Sequence, residues 1–160
     1  MAQQGQLEAG AEGIERAIQI LESIEFRLAL SGFLALLADV RRQQGNLHAA
    51  EAACARAVDL IAVSSFLWFE PELRRIEALI LNETKGSNVA EGALRHAVER
   101  AQALASPVLE RRCLISLRQV LGPNRHDLEL EARLKKLSHL GDLAQKVANA
   151  MKAPASLLKA

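Results

Sequence analysis

The chain has 160 residues, of which 50% are hydrophobic but only 3% aromatic, and its formal net charge is +1. Because Ala and Leu lose little conformational freedom in helices, this composition predicts an all-α protein, and the length suits one domain with a sizeable core. The balanced charge argues against nucleic acid as a partner, since nucleic-acid-binding domains usually carry a clustered basic face.

Apolar residues recur at steps of three and four along eight segments, which is the pattern of amphipathic helices. The predicted helices cover residues 7–21, 25–44, 47–63, 69–82, 88–105, 107–121, 127–140 and 142–151. Residues 1–6 are expected to be a disordered start and residues 154–160 a frayed tail. The series contains no strand pattern, so the expected fold is entirely helical.

Glycine, asparagine and proline mark several predicted helix ends. Gly45 is expected to end the second helix in a left-handed conformation, and Asn46 to cap the third helix by accepting a hydrogen bond from a free amide. Pro71 and Pro107 are tolerated only in a first helical turn, so they indicate where the fourth and sixth helices begin.

We expect a cytoplasmic protein with no membrane segment. The opening residues lack the apolar core of a signal peptide, and no apolar run approaches about 18 residues. Cys54 and Cys113 stand inside apolar helical patterns, and we interpret them as small buried side chains in a reducing compartment.

Small residues recur at a constant offset in the middle of the chain. Ala38, Ala50 and Ala57 return as Ala78, Ala90 and Ala97, with Gly45 between the first two. We call the offset from Ala38 to Ala78 the repeat shift. A small side chain marks a contact where a larger one would push paired helices apart, so we interpret all seven as repeat-packing positions. One further repeat shift along the chain leads to a third copy around Glu131 and Leu134, which keeps the pattern only in part.

The arrangement of Ala38, Gly45, Ala50 and Ala57 resembles a tetratricopeptide repeat, although the repeat shift is longer than the usual unit of about 34 residues. The resemblance implies a right-handed solenoid of antiparallel helix pairs over residues 25–122. Residues 7–24 would then be a leading or capping helix. Residues 123–153 would be a degenerate repeat or a pair of capping helices.

A second resemblance rests on WFEPELRRIEALIL at residues 68–81, together with residues 90–104 and 109–121. These segments are similar to the C-terminal repeat region of large bacterial signalling ATPases, whose N-terminal domains are cyclase-like or DNA-binding. The resemblance implies a regulatory module of a signalling or transcription-regulatory system, with no catalytic residue in this chain.

No group of residues in the sequence indicates catalysis. The chain has neither a GxxxxGK[ST] phosphate loop nor a GxGxxG turn, and its four histidines are scattered. His126 with Glu129 and Glu131 comes nearest to a ligand cluster, but a metal site would need matching ligands from other helices. We therefore predict a protein that is not an enzyme and holds no cofactor or metal.

A row of polar residues is predicted to face a groove. In stacked helix pairs the first helix of each pair lines the concave side, next to the packing stripe. The predicted groove residues are Asp39, Arg42, Gln43, Glu72, Arg75, Asn82 and Arg112. Such arginines could bind the carboxylates of an acidic or extended peptide, whereas the alternative for each residue is an ordinary solvated face. Charge reversal at Arg42 and Arg75 is expected to leave stability nearly unchanged.

These observations predict a non-catalytic scaffold that binds a protein or peptide partner, whose identity the residues do not specify. Two alternatives stay open. One is a transcriptional regulator whose late basic helices contact DNA, and the other is a small-molecule sensor that uses the aromatic residues Phe66, Trp68 and Phe69. The sequence also leaves open whether the chain forms a homo-oligomer.

Overall fold

The computed structural model describes residues 2–63 and 67–152, and within these ranges the chain is all-helical, without a strand. The helices are α1 (Ala2–Ser23), α2 (Arg27–Gln43), α3 (Leu47–Val63), α4 (Glu70–Lys85), α5 (Ser87–Ala103), α6 (Pro107–Leu121) and α7 (Leu128–Lys152). The prediction of an all-α protein is confirmed. None of these helices is both long enough and apolar enough to cross a membrane.

The turn between α2 and α3 has the predicted chemistry. Gly45 adopts a positive φ of 77°. Its N–H donates to the Arg42 carbonyl (2.8 Å) and the Asn46 N–H donates to the Arg41 carbonyl (2.9 Å), which is the Schellman ending of a helix. The Asn46 side-chain oxygen accepts a hydrogen bond from the Ala49 N–H at 3.2 Å and caps α3. The glycine and the asparagine therefore separate the two helices as expected.

Prolines stand in the first turns of α4 and α6, again as predicted. Pro71 and Pro107 remove an N–H that would have no partner inside the helix anyway. At the start of α7, the Asp127 carboxylate accepts a hydrogen bond from the Leu130 N–H at 3.0 Å. Each of these helix starts is thus encoded locally.

Two predicted boundaries differ from the structure. The helices expected at residues 127–140 and 142–151 form the single helix α7, which continues through Gly141. A glycine costs about 1 kcal/mol inside a helix, which weakens the helix without ending it. Residues 2–6, expected to be disordered, form the first turns of α1, because extending an existing helix costs less than nucleating one. The predicted frayed tail at residues 154–160 lies outside the described residues.

The chain divides into two compact units, Met1–Asn124 and Arg125–Ala160. In the first unit each helix packs against the next one along the chain, and α2 also packs against α4 and α4 against α6. These three helices therefore form a continuous row, although one helix separates each of them from the next in sequence. The second unit contains α7, in which Leu130, Leu134 and Leu137 are buried at steps of four and three.

The core of the first unit contains the predicted packing alanines. Each of Ala38, Ala50, Ala57, Ala78, Ala90 and Ala97 has an exposed fraction of 0%. The repeat shift extends to other positions of α3 and α5, which both have 17 residues. Cys54 and Ile61 are buried in α3, and Leu94 and Ala101 are buried at the shifted positions of α5. The same helix face is therefore buried in both.

Candidate functional site

Polar side chains form a line across α2, α4 and α6, which we call the polar row. The row consists of Asp39, Arg42 and Gln43 from α2, Glu72, Arg75 and Glu83 from α4, and Arg112 and Ser116 from α6. Acid and arginine stand three residues apart both in α2 and in α4, a spacing that puts them on the same helix face. The row thus consists of two local pairs, each of which contacts side chains of a neighbouring helix.

The α2–α4 cluster is formed by Asp39, Arg42 and Glu83. Arg42 donates from Nε (3.0 Å) and Nη2 (2.9 Å) to one carboxylate oxygen of Asp39, and from Nη1 to Glu83 at 2.6 Å. Gln43 donates to the other oxygen of Asp39 at 3.0 Å. The arginine side chain is 19% exposed and that of Glu83 is 35% exposed, so water reaches this cluster.

The α4–α6 cluster is formed by Glu72, Arg75 and Arg112. Arg75 donates two hydrogen bonds to Glu72, from Nη2 at 2.8 Å and from Nε at 3.0 Å, and a third to the Ser116 hydroxyl at 3.2 Å. Arg112 donates to the same Glu72 at 2.6 Å. The side chains of Glu72 and Arg75 are only 3% and 10% exposed, whereas that of Arg112 is 54% exposed. The pair inside α4 is therefore buried and Arg112 covers it from the solvent side.

Both inner arginines keep their charge. Burial alone would lower the pKa of Arg42 and of Arg75, because it disfavours the charged form. Hydrogen bonds to Glu83 and Asp39 outweigh burial and raise the pKa of Arg42, and hydrogen bonds to Glu72 do the same for Arg75. The charges of the two clusters balance, with three arginines against three carboxylates.

The structure thus brings together most of the predicted groove residues, but in a different environment. Glu72 and Arg75 were expected to face a solvated groove and are buried. Because Arg75 is buried, charge reversal there would place a carboxylate beside the buried Glu72, and this burial argues against the expectation that stability stays nearly unchanged. Asn82 is half-buried next to Glu83 in the sequence.

Sequence reasoning missed two members of the row, although both had a signal. Ser116 lies four residues after Arg112, on the same face of α6. Glu83 lies one repeat shift after Gln43, at the offset already seen in the alanines. What the sequence did not indicate was that Arg42 would contact this glutamate.

Two further buried carboxylates connect α5 to its neighbours. Glu70 accepts hydrogen bonds from Nη2 (2.6 Å) and Nε (3.1 Å) of Arg100, whose pKa is raised by these bonds. Glu110 accepts a hydrogen bond from Gln102 at 2.8 Å. These carboxylates are separated by one repeat shift, one at the start of α4 and the other at the start of α6. We interpret both as structural contacts.

Neither cysteine has the properties of a nucleophile. Burial raises the pKa of Cys54 and of Cys113 to about 12, so both are thiols at neutral pH. The Cys113 Sγ also donates to the Pro71 carbonyl at 3.6 Å. Across the described ranges, no group of three or more His, Cys, Asp or Glu side chains could hold a metal ion.

The predicted aromatic zone is only partly described, because Phe66 lies outside the described residues. Trp68 and Phe69 meet edge to face, with ring centroids 5.2 Å apart and ring planes at 65°. Trp68 is 57% exposed. An exposed tryptophan beside a half-buried phenylalanine indicates an apolar surface at the start of α4.

The described residues thus form an all-α protein in which the polar row, with balanced charges, extends over three helices. No protein-family model, curated protein or solved structure matches the chain. The resemblances to tetratricopeptide repeats and to bacterial signalling ATPases therefore stay predictions.

Proposed function

We propose that the chain is a non-catalytic scaffold of tetratricopeptide-like helix pairs, arranged as a right-handed solenoid, that binds a protein or peptide segment. The observation that carries this proposal is the row of contacts from α2 through α4 to α6, lined by polar side chains that hydrogen bonds hold in place. A surface that is ordered before binding loses less entropy when a partner binds. The shared burial pattern of α3 and α5 supports the repeat.

The chemistry of the row favours an extended segment with mixed polarity. Because the charges of the row balance, they attract neither a strongly acidic nor a strongly basic partner from a distance. Arg112, 54% exposed, offers charged donors at the α6 end. Gln43 and Leu36 are exposed on α2, seven residues apart on the same face. A partner would thus meet an apolar contact and an amide at one end and an arginine at the other.

The wider setting, a cytoplasmic signalling or transcription-regulatory system of a bacterium, is part of the same proposal. It is supported by the resemblance of residues 68–81, 90–104 and 109–121 to the repeat region of bacterial signalling ATPases.

The test is affinity capture from an extract of the source cells, followed by mass spectrometry and titration of the purified partner. Arg112→Gln should weaken binding at least tenfold while the fold persists, because Glu72 keeps its two hydrogen bonds from Arg75. Arg111→Gln is the matched control, since Arg111 is exposed on the same helix outside the row. Equal binding by both variants would mean that the partner uses another surface.

A further inference from the structure

A cavity of about 370 Å³ opens between the second half of α3 and the start of α4. Its apolar walls are formed by Val58, Ile61, Ala62, Leu67 and Leu73. Small-molecule sites commonly have volumes of about 300–1,000 Å³, so this cavity is at the small end of that range. Its wall residue Leu67 directly precedes Trp68 in the sequence, but the walls are mainly aliphatic side chains.

The two charged residues that line the cavity are already in ion pairs. Glu70 is held by Arg100 at 2.6 Å. Arg74 pairs with Glu77 at 3.0 Å, whereas its Nε lies 3.7 Å from Glu70, beyond hydrogen-bond distance, and is a buried N–H without a hydrogen-bond partner among the described residues. A charged ligand would lose its hydration here and would meet charges that are already paired, whereas the Arg74 Nε–H can donate a hydrogen bond to an uncharged acceptor. The charge distribution therefore favours an uncharged occupant.

We propose that this cavity is a binding site for a small, uncharged and largely apolar molecule. Aliphatic walls provide the hydrophobic contact, which stabilises a complex in proportion to the apolar area removed from water. The volume limits the ligand to about the size of two or three aromatic rings or a short aliphatic chain. This site is separate from the polar row, so each proposal can fail without the other.

The direct test is a fluorescence titration of the full chain with N-phenyl-1-naphthylamine, an uncharged apolar fluorophore. We expect saturable one-to-one binding, with quenching of Trp68 by energy transfer. Trp68 is the only tryptophan of the chain and directly follows the cavity residue Leu67, so it reports on this region. Absence of saturable binding would overturn the proposal. That result is also expected if the cavity accepts only a side chain of a partner protein and no small molecule.

A pair of matched variants locates the bound probe. Ala62→Leu places a larger side chain at the cavity wall, and Ala55→Leu makes the same change outside the cavity; both alanines are exposed on α3. We expect Ala62→Leu to weaken probe binding at least tenfold and Ala55→Leu to leave it within twofold, with circular dichroism unchanged in both. Equal effects would place the probe elsewhere and overturn the assignment.

The charge of the probe provides a second control. Anilinonaphthalene sulfonate has the same aromatic skeleton with one negative charge. We expect it to bind at least tenfold more weakly than the uncharged probe, because the charge of Arg74 is already shared in ion pairs with Glu70 and Glu77. Equal affinity of the two probes would contradict the argument for an uncharged ligand.

Discussion

Each cluster of the polar row contains an acid and an arginine three residues apart on one helix, yet the two pairs differ in burial. In α2, the side chains of Asp39 and Arg42 are 21% and 19% exposed, whereas in α4 those of Glu72 and Arg75 are 3% and 10% exposed. Exposed ion pairs contribute little to stability, whereas a buried charge that loses its partner costs several kcal/mol. Acid–arginine pairs with the same spacing should therefore have different energetic roles.

The largest effect is expected at Arg75. Arg75→Met leaves the buried Glu72 with only the partly exposed Arg112 as a partner, and should destabilise the fold by about 3–5 kcal/mol. Urea denaturation measures this loss. The double variant Glu72→Leu/Arg75→Met should recover most of it, because it removes both buried charges together. An Arg75→Met variant as stable as Arg42→Met would show that the two clusters do not differ.

The apolar contacts should not distinguish the two helices. Ala38 of α2 and Ala78 of α4 both have an exposed fraction of 0%, so a leucine at either position must displace its neighbours. Each substitution should cost about 1–3 kcal/mol through overpacking. Thermal denaturation of the two variants tests this, with Ala55→Leu on the exposed face of α3 as the control. A loss at only one of the two positions would mean that the packing is not equivalent.

A smaller effect is expected at Arg42. Arg42→Met removes the hydrogen bonds to Asp39 and Glu83 in a place that water reaches, and should cost about 1 kcal/mol or less. Salt screens partly exposed charges, so the cost should shrink further in 1 M NaCl. Urea denaturation at two salt concentrations measures both values. A cost as large as that of Arg75→Met would contradict the assigned difference in burial.

The smallest expected effect is the change in stability that titration of Cys113 causes, which is absent at neutral pH and appears only at alkaline pH. Burial raises its pKa from an ordinary 9.0 to about 12, so the folded state holds the thiol proton more tightly than the unfolded chain. The resulting stability is complete below pH 9 and is lost as the pH rises towards 12. Between pH 8 and 10.5 the wild type should therefore lose more stability than Cys113→Ala in urea denaturation. Parallel pH profiles would argue against a buried thiol.

Prediction from sequence succeeded where the cause is local. The end of α2 follows from Gly45 and Asn46, and the starts of α4 and α6 follow from Pro71 and Pro107, because each residue acts on a backbone within one turn of itself. The burial of the repeated alanines was also predictable, since their spacing matches one helix face.

Prediction failed where the cause is distant. The environment of Arg75 depends on another helix, from which Ser116 accepts its hydrogen bond and Arg112 donates to its partner Glu72. The continuity of α7 depends on whether the helix propensity of the residues around Gly141 outweighs the cost of the glycine. The position of the glycine alone does not show which of the two is larger. The aromatic residues near Trp68 were the sequence signal for a small-molecule site, but the walls of the cavity between α3 and α4 are mainly aliphatic, and helical periodicity does not distinguish such residues from ordinary core.

The sequence by itself determined the helical class, several helix ends and the alanines at which helices pack, because propensity, capping and periodicity act over a few residues. The tertiary structure decided which acid–arginine pair became buried, which residues joined the polar row and where a cavity remained. Burial is set by what neighbouring helices cover, and two pairs with the same local spacing can therefore have different environments.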